Sequence, residues 1–466
     1  MTAVVVVGGG VSGLGAARVL ARAGLAVTVL EAGPGWGGKV QALDLEGVRL
    51  DAGAESVLAR RPEAVRLIAD LGLPAVHPTA ARPEVLISGR PHPLPPSVLG
   101  VPTDLAALEG LLTADGLARA RREPERPASP LPGDLAIGRL VDARFGPEVT
   151  DRLVEPLLGG VYAGRARELS FAATAPSLYA AARAGGSLLA AARTVARPDA
   201  GAPVFAGLVG GVHRLVDALV ADLTAAGVGL RSRVTATELH PRARGYLLRT
   251  EGPEGRGSCQ VDGVVLATSA RATGRLLAPL LPAAADWAGW PYASTAVVTL
   301  VVAGLAPTAS GLLVPPGELP TIKALTYSSA KWDWVRAVAE DRWGPGVAVV
   351  RASVGRIGEE PLLQVDDQTL RDRTFREAQG LPGWRSARLI TGRVARWGGG
   401  LPQYEVGHLD RVARLRRALA SSPGLAVCGA ALDGVGIAAC LGSAKLAGTK
   451  IQHDLGAMGA GNEESG

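Results

Sequence analysis

The sequence of 466 residues predicts an α/β protein, and three features point to that class. A β-branched run at Ala3–Val7 is followed by a glycine turn, a helix and a second strand, which is the order of a βαβ unit. The last sixty residues return to the order helix, strand and helix. Between the two ends lie a mostly helical region and then strand-like runs typical of an antiparallel sheet. We therefore predict a Rossmann-type domain that is interrupted by an antiparallel-sheet domain and a helical insertion.

Each element is placed by its hydrophobic period and by the glycine and proline residues that end it. Helical patterns dominate from about residue 60 to 203, with proline-rich breaks at 91–96 and 124–132. The other predicted elements, in chain order, are a strand at Ala3–Val7, a turn at 8–13, a helix at 15–23, a strand at 27–30, a helix at 212–226, strands at 228–234, 261–268, 296–302, 311–314 and Val347–Val354, a helix at 411–420, a strand at 425–429 and a helix at 437–453. We expect the tail from Gly456 onward to be disordered.

This order of elements predicts three domains. The Rossmann-type, cofactor-binding domain takes residues 1–58, 204–275 and 393–466, and the substrate-binding sheet domain takes residues 59–92 and 276–392. Residues 93–203 form the helical insertion. The two ends of the chain can then pair in one sheet.

Composition excludes several classes of protein. With 47% hydrophobic and 20% charged residues, the balance is that of a globular chain. The three cysteines form no CxxC pair and the six histidines lack ligand-like spacing, so we expect neither a disulfide framework nor a metal site. The apolar centre of the longest charge-free stretch, 287–317, is too short to cross a bilayer, and the amino terminus lacks the basic region of a signal peptide. These features predict a cytoplasmic location.

The net charge of +6 bears on possible partners. Of the 49 basic residues 44 are Arg, and they are spread along the chain and not clustered with aromatic residues. We therefore expect no nucleic-acid partner. An anionic small substrate or an anionic membrane surface fits this charge better.

The first chemical motif is Gly8-Gly9-Gly10-Val11-Ser12-Gly13, which fits GxGxxG between a strand and a helix. Gly8 permits the tight turn, Gly10 lets the backbone approach a pyrophosphate, and Gly13 lets helix and strand pack closely. Glu31 ends the second strand, where a carboxylate can accept the hydroxyl groups of an adenosine ribose. This unit predicts a dinucleotide site and leaves FAD and NAD both open.

Two further glycine segments favour a flavin. Gly35, Gly37 and Gly38 precede Lys39, an order that suits a second backbone approach to the pyrophosphate with a cation beside it. An ordinary surface turn is the alternative for this segment. Near the carboxyl end, residues 432–437 follow a strand and open a helix, whose amino terminus could stabilise negative charge on a reduced flavin. Taken alone, that segment could equally be a structural turn.

With residues 51–56 (DAGAES) added, these motifs resemble the amine-oxidase-like FAD superfamily, and within it the bacterial protoporphyrinogen and coproporphyrinogen oxidases. The resemblance extends through most of the chain. The further similar segments are 153–164 (LVEPLLGGVYAG), 169–170, 203–208 with 210–211, 311–315, 326–332 (TYSSAKW), 402–408 (PQYEVGH) and 434–440.

The resemblance implies FAD as the cofactor and supplies further contacts. It places residues 53–56 near the flavin, Val234 at the adenine through its backbone, Trp397 beside the cofactor, and residues 435–437 at the pyrimidine end of the flavin. On residue chemistry alone, Val234 and Trp397 would be core residues. The full set expected to bind FAD is Gly8, Gly9, Gly10, Val11, Ser12, Gly13, Glu31, Ala32, Lys39, Gly53, Ala54, Glu55, Ser56, Val234, Trp397, Val435, Gly436 and Ile437.

The resemblance also implies the reaction, a six-electron oxidation of a porphyrinogen in which hydrides pass to the flavin and dioxygen is reduced to hydrogen peroxide. The pyrrole nitrogens of the substrate supply electron density, so we expect no catalytic base. His92, His213 and His408 are expected to be structural. Arg61, which with Arg60 follows the flavin-proximal segment, matches a basic position near the substrate and is expected to bind a propionate. The alternative for Arg61 is a solvated arginine at the start of a helix.

Because the resemblance is greatest to the enzymes of Gram-positive bacteria, it implies coproporphyrinogen III as the substrate, in heme biosynthesis. Protoporphyrinogen IX is the alternative substrate, and a flavin amine oxidase or a non-catalytic FAD-binding protein is an alternative of another class. The implied partners are dioxygen, transient contact with ferrochelatase as the next enzyme of the pathway, and peripheral contact with the inner face of the membrane.

Overall fold

The computed structural model describes residues 2–127, 129–196 and 203–463. Its strands, in chain order, are β1 (Ala3–Val7), β2 (Ala26–Glu31), β3 (Ala42–Leu45), β4 (Val48–Asp51), β5 (Val57–Leu58), β6 (Ala75–Val76), β7 (Pro83–Ile87), β8 (Arg90–Pro93), β9 (Ser97–Val98), β10 (Val101–Pro102), β11 (Phe205–Leu208), β12 (Gly229–Ser232), β13 (Thr235–Pro241), β14 (Tyr246–Gly252), β15 (Gly255–Val261), β16 (Gly263–Leu266), β17 (Tyr292–Ala303), β18 (Gly311–Leu313), β19 (Ile322–Tyr327), β20 (Val347–Val354), β21 (Arg388–Pro402) and β22 (Leu425–Val427).

The α-helices, in chain order, are α1 (Val11–Arg22), α2 (Pro62–Asp70), α3 (Ala114–Arg121), α4 (Ile137–Arg144), α5 (Pro147–Val149), α6 (Glu155–Tyr162), α7 (Phe171–Thr174), α8 (Pro176–Ala182), α9 (Leu188–Val195), α10 (Arg214–Ala225), α11 (Ala270–Leu277), α12 (Ser328–Lys331), α13 (Asp333–Trp343), α14 (Asp367–Ala378), α15 (His408–Ala420) and α16 (Ile437–Glu463). A π-helical segment, Thr150–Val154, joins α5 to α6.

A five-stranded parallel sheet has the strand order β12-β2-β1-β16-β22. Both of its faces are covered, which explains why β1 is apolar at successive positions. Val4 and Val6 pack against α1, α10 and α16, while Val5 and Val7 pack on the other face against β14, α11 and α15. The sheet therefore joins strands from both ends of the chain.

A seven-stranded sheet has the order β21-β17-β20-β19-β18-β7-β8, and its pairs are antiparallel apart from β18 and β7. The helices between residues 114 and 195 enclose a separate apolar core that also includes Val85 and Ile87 of β7. The predicted fold class, a parallel nucleotide-binding sheet with an antiparallel sheet and helices inserted, is confirmed.

Several elements differ from the sequence prediction. The meander β13-β14-β15 was not predicted, because side chains along β13 and β15 are largely exposed and show no apolar alternation. The long strand β21 was also missed, because three consecutive glycines at 398–400 indicate a loop, whereas pairing with β17 along its length holds it extended.

The elements near the two ends of the chain also differ from those predicted. Helix α1 begins at Val11 and not at residue 15, because Gly10 is its N-cap. The disordered tail predicted from Gly456 was wrong as far as Glu463, where α16 ends, and residues 464–466 lie outside the described part of the chain. Among the described residues, no helix is both long enough and apolar enough to cross a bilayer.

Candidate functional site

Two helices begin at the same edge of the parallel sheet. Helices α1 and α16 run side by side in the same direction, since Gly15 faces Leu441 while Gly448, further along, faces Val19. A Cβ atom built on Gly15 would lie 3.0 Å from Leu441, so the two helices are in close contact. Their amino termini therefore open on one cleft, and both favour negative charge there.

Glycine is needed at two positions where β1 leads into α1, one in the turn and one in the first turn of the helix. Gly8 has φ +110°, and a Cβ built on it would lie 2.6 Å from the carbonyl oxygen of Ala267. A Cβ on Gly13 would lie 1.8 Å from the carbonyl oxygen of Gly8. Side chains at these positions would force α1 away from β1 and close the approach to its amino terminus.

The second glycine segment lies directly against the first. The Gly37 N–H donates to the Gly9 carbonyl oxygen at 2.8 Å, and Gly10 and Gly37 form a β-bridge. Gly38 has φ +61°, and a Cβ built on it would lie 3.2 Å from the Cα atom of Gly10. Two stretches of bare backbone therefore form one wall of the cleft.

Glu31 lies at the end of β2, with its carboxylate turned into the first loop. The carboxylate accepts the Gly9 N–H at 2.7 Å and the Gly33 N–H at 2.6 Å, while the following residue, Ala32, is exposed. The Val234 N–H donates to the Glu31 carbonyl oxygen at 2.9 Å. An adenine contact through Val234 would therefore have to use its own carbonyl oxygen.

Lys39 is a cation without a partner among the described residues. Its ammonium group makes no hydrogen bond or ion pair with them. The side chain is exposed to solvent, and nearby protein atoms lower its pKa by partial loss of hydration, an effect that Cys440 partly opposes. Its carbonyl oxygen lies against Gly53, where a Cβ would come within 2.2 Å of it. A cation that directly follows the second glycine segment and is unpaired in the described part of the chain suits a phosphate-bearing ligand.

A buried charge cluster lies behind the segment 53–56. The Glu55 carboxylate lies 2.5 Å from Lys331 Nζ and 2.7 Å from a guanidinium nitrogen of Arg351, and that guanidinium also donates to the Gly53 carbonyl oxygen. Burial alone would raise the pKa of Glu55, but Lys331 and Arg351 together lower it to about 2. Next to Glu55, Ala54 and Ser56 are half-buried.

Sequence reasoning missed Lys331 and Arg351 as parts of this cluster. The signal for Arg351 was available, because it is the one charged residue of the apolar strand VAVVRASV. Lys331 belongs to a segment that carried the family resemblance, but its partner is 276 residues away in the chain.

The indole ring of Trp397 packs against the segment 53–56 at Gly53. A Cβ built on Gly53 would lie 3.1 Å from the indole ring. The indole nitrogen is buried and has no hydrogen-bond partner among the described residues. A buried donor without an acceptor is rare, and a bound group with acceptor atoms would satisfy it.

The loop before α16 is held by two side chains of PQYEVGH. The Tyr404 hydroxyl accepts the Gly434 N–H at 2.8 Å and donates to the Ala430 carbonyl oxygen at 2.7 Å, while His408 Nε2 contacts the Leu432 carbonyl oxygen at 3.0 Å. The loop then presents its residues at the start of α16, among which Val435 is half-buried, Gly436 is exposed and Ile437 is buried.

The remaining candidates lie in different surroundings. Asp51 accepts the backbone N–H groups of Val212 and His213 and contacts His213 Nδ1 at 2.9 Å. These bonds tie the end of β4 to the beginning of α10 and give His213 a structural role. Arg61 is the N-cap of α2, has a side chain 45% exposed, and forms an ion pair with Glu63 at 3.2 Å.

The groups in the cleft fit a flavin dinucleotide. Two glycine loops and a free cation suit a pyrophosphate, Glu31 suits a ribose, and the orphaned indole N–H of Trp397 and the amino terminus of α16 suit a polar ring system. No group of three or more His, Cys, Asp or Glu that could hold a metal ion occurs within residues 2–127, 129–196 and 203–463.

Comparison with known proteins gives three findings. The family of flavin-containing amine oxidoreductases matches residues 11–451. The chain is 39% identical over 477 residues to the coproporphyrinogen III oxidase of Mycobacterium tuberculosis, covering 97% of this chain and 98% of that protein, and 30% identical to that of Bacillus subtilis, covering 95% and 96%. It also resembles the crystal structure of a candidate protoporphyrinogen oxidase from an Exiguobacterium species, with a TM-score of 0.83 and 30% identity over 97% of this chain and 99% of the other.

Proposed function

The chain belongs to the family of flavin-containing amine oxidoreductases, and on that premise we propose that it is an FAD-dependent enzyme of heme biosynthesis that oxidises coproporphyrinogen III to coproporphyrin III. One observation carries the choice of substrate. Over almost the full length of both chains, the sequence is 39% identical to a protein named coproporphyrinogen III oxidase. Because the same reaction needs the same cofactor site, the glycine cradle and the Lys39 ammonium group beside it, unpaired among the described residues, support the proposal.

When bound, FAD supplies a two-electron acceptor that dioxygen can reoxidise. Removal of six electrons and six hydrogens from one coproporphyrinogen then reduces three molecules of dioxygen to three of hydrogen peroxide. The pyrrole nitrogens of the substrate release electron density toward the carbon that loses hydride, so the task of the chain is orientation and electrostatics.

The chain's own residues divide that task. The backbone of Gly10 and Gly38 and the Lys39 ammonium would hold the pyrophosphate, and Glu31 would hold the ribose. Because the Val234 N–H is bonded to the Glu31 carbonyl oxygen, Val234 would meet the adenine through its own carbonyl oxygen.

At the flavin end, the Glu55 cluster fixes the segment 53–56. Trp397 would donate its orphaned N–H to the cofactor, and residues 435–437 would present their backbone N–H groups to it. No proton has to be held by a catalytic base.

Substrate selection rests on charge. Coproporphyrinogen III carries four propionates, whereas protoporphyrinogen IX carries two propionates and two vinyl groups. Arg61, the exposed N-cap residue of α2, would bind one of these carboxylates, and the carboxylate would have to compete with the intramolecular partner Glu63. Each extra propionate therefore adds a modest preference and not an absolute one.

Two further contacts belong to this proposal. A porphyrin product is photoreactive, so transient contact with ferrochelatase would limit its release into water. The net charge of +6 would attract the chain to the anionic inner face of a membrane. The cytoplasmic side of that membrane is then the predicted location.

The test is an assay of the purified holoprotein under air with coproporphyrinogen III, protoporphyrinogen IX and a primary amine. We expect porphyrin fluorescence with both porphyrinogens, a higher kcat/KM for coproporphyrinogen III, and three molecules of dioxygen consumed per porphyrin formed. Preference for protoporphyrinogen IX would replace the substrate, oxidation of the amine alone would replace the class of reaction, and bound FAD without any turnover would make the chain a binding protein.

A further inference from the structure

The loop from Gly429 to Gly436 is held from outside its own segment. It joins β22 to α16, and Gly434 within it has φ +136°. Its backbone polar groups at Ala430, Leu432 and Gly434 are bonded to side chains that come from residues 404 and 408. The shape of this loop therefore depends on the PQYEVGH segment.

Tyr404 bridges the two limbs of the loop. Its hydroxyl donates to the Ala430 carbonyl oxygen on the strand side and accepts the Gly434 N–H on the helix side. Tyr404 is fully buried, and its backbone carbonyl accepts the Ser170 N–H at 2.7 Å, which fixes the residue against the helical region. Its ring also contacts that of Tyr162, with centroids 5.4 Å apart.

His408 holds the middle of the loop. Its ring stacks on that of Tyr404 with centroids 3.7 Å apart, and its Nε2 donates to the Leu432 carbonyl oxygen. Its other ring nitrogen is buried without a partner among the described residues, which suits the neutral tautomer that carries the proton on Nε2. Burial also lowers the pKa of His408 to about 4, so the ring is neutral at ordinary pH.

We propose that Tyr404 and His408 are positioning residues for the flavin, which set its reduction potential by fixing the backbone N–H groups at the start of α16. They act through the loop, since their polar atoms bond to its backbone. Backbone donors and a helix amino terminus stabilise charge only when they are held in place before it forms. The proposal rests on FAD binding and is independent of which porphyrinogen is oxidised.

A displaced loop affects the reduced flavin more than the oxidised one, because the reduced ring carries the negative charge that these N–H groups face. If loss of the Tyr404 hydroxyl weakens binding of the reduced form about tenfold more than that of the oxidised form, the potential of this two-electron couple falls by about 30 mV. Simple destabilisation of the fold would not separate the two redox states.

The experiment measures the FAD reduction potential and the FAD dissociation constant of the holoprotein in Tyr404→Phe and in a control, Tyr246→Phe. The control removes a comparable hydrogen bond, from a buried tyrosine hydroxyl to the Pro423 carbonyl oxygen at 2.9 Å, from a place outside the cleft. We expect the potential to fall by about 30 mV in Tyr404→Phe and to stay at the wild-type value in Tyr246→Phe.

A second pair of variants separates the two contacts of His408. His408→Phe keeps a ring that can stack on Tyr404 but has no donor, whereas His408→Gln has an amide that can reach the Leu432 carbonyl oxygen. We expect His408→Phe to lower the potential and His408→Gln to restore most of it. This pair also decides the matter if Tyr404→Phe yields no folded protein.

The proposal is overturned if Tyr404→Phe binds FAD with an unchanged potential, if Tyr246→Phe shifts the potential equally, or if His408→Phe and His408→Gln have the same potential. Absence of FAD from the wild-type protein would instead remove the proposed function.

Discussion

The two halves of the proposed FAD site are built in different ways. The adenosine half, made of the glycine loop 8–13, Glu31 and Gly37–Gly38, is held by groups that are near in sequence. The Gly37 N–H donates to the Gly9 carbonyl oxygen, and the Gly9 N–H donates to the carboxylate of Glu31, only 22 residues away. The flavin half is held by side chains from remote elements, since Glu55 bonds to residues 276 and 296 positions away. The first half needs the right residues in one short segment, while the second needs the whole fold to be in place.

This difference predicts two modes of failure. The adenosine half should lose FAD when volume is added, because Gly8, Gly13 and Gly37 leave no space for a Cβ. The flavin half should be destabilised when a charged group or a hydrogen-bond donor is removed. Its geometry depends on the ion cluster of Glu55 and on the hydrogen bonds of Tyr404 and His408.

The largest effect is expected for Glu55→Gln in the flavin half. The substitution leaves the ammonium group of Lys331 and the guanidinium of Arg351 without their counter-charge, and removal of one partner from a buried ion cluster typically costs about 3–5 kcal/mol. We expect the free energy of unfolding to fall by that amount, measured by urea denaturation of the holoprotein.

The control for this prediction is Asp333→Asn, which removes an exposed carboxylate paired with Arg336 at 2.6 Å. It should change the free energy of unfolding little, because exposed ion pairs contribute little. Equal losses in the two variants would show that burial of the Glu55 cluster does not matter, and the contrast between the two halves would then lose its main support.

The second effect is a pH dependence carried by His408. Burial lowers its pKa to about 4 from 6.5, with Arg411 acting in the same direction, while the Leu432 carbonyl oxygen, Asp433 and Asp134 oppose the shift. Because the folded chain binds this proton less readily than the unfolded chain, the contribution is fully present above pH 6.5 and is lost as the pH falls toward 4. A shift of this size corresponds to about 3 kcal/mol.

Glu55 makes the free energy of unfolding depend on pH in a second, lower range. Its pKa of about 2 lies below the ordinary 4.5, so its contribution is present above pH 4.5 and is lost as the pH falls toward 2. In a titration of unfolding free energy against pH, His408→Gln should flatten the segment between pH 6.5 and 4 and leave the lower segment unchanged. A titration curve of His408→Gln that overlays the wild type would contradict the assignment of the upper window.

The same contrast explains what the sequence could predict. The strand Ala3–Val7, the loop 8–13 and Glu31 form one contiguous unit with a recognisable period, and the fold class followed from that unit and its counterpart at the other end. The Glu55 cluster and the hydroxyl of Tyr404 leave no local pattern, because their partners become neighbours only after the sheets assemble. Resemblance to relatives pointed to PQYEVGH as a segment, and only the structure shows what its side chains hold.

The third prediction adds volume to the adenosine half. Gly13→Ala places a Cβ 1.8 Å from the Gly8 carbonyl oxygen, whereas Gly289→Ala, at an exposed position outside the proposed FAD site, meets nothing closer than the Asp286 carbonyl oxygen at 4.0 Å. Overpacking costs about 1–3 kcal/mol and occasionally more, which corresponds to a loss of FAD affinity of roughly tenfold or more.

We expect Gly13→Ala to lose FAD during gel filtration and Gly289→Ala to keep it, as judged from the flavin absorbance per protein. FAD retention in Gly13→Ala at the wild-type level would contradict the steric account of the adenosine half.

The smallest effect is expected in Arg61→Ala, at the start of α2. The Arg61 side chain is 45% exposed, so its bond to a propionate should contribute about 0.5–1 kcal/mol, or about 2–5-fold in kcat/KM for coproporphyrinogen III. The effect should shrink between low and high salt, because the screening length falls from about 10 Å at 0.1 M to about 3 Å at 1 M. The measurement is kcat/KM for both porphyrinogens at the two salt concentrations.

The ion pair with Glu63 makes this prediction sharper, because the substrate has to compete with that carboxylate for Arg61. Glu63→Gln should therefore raise kcat/KM for coproporphyrinogen III at low salt, and it should have no effect when combined with Arg61→Ala. Arg121→Ala, which removes an arginine 52% exposed and paired with Glu109, is the matched control and should leave both substrates unaffected. If Arg61→Ala and Arg121→Ala behave alike, the propionates are bound elsewhere, and Arg61 then plays no part in choosing between the two porphyrinogens.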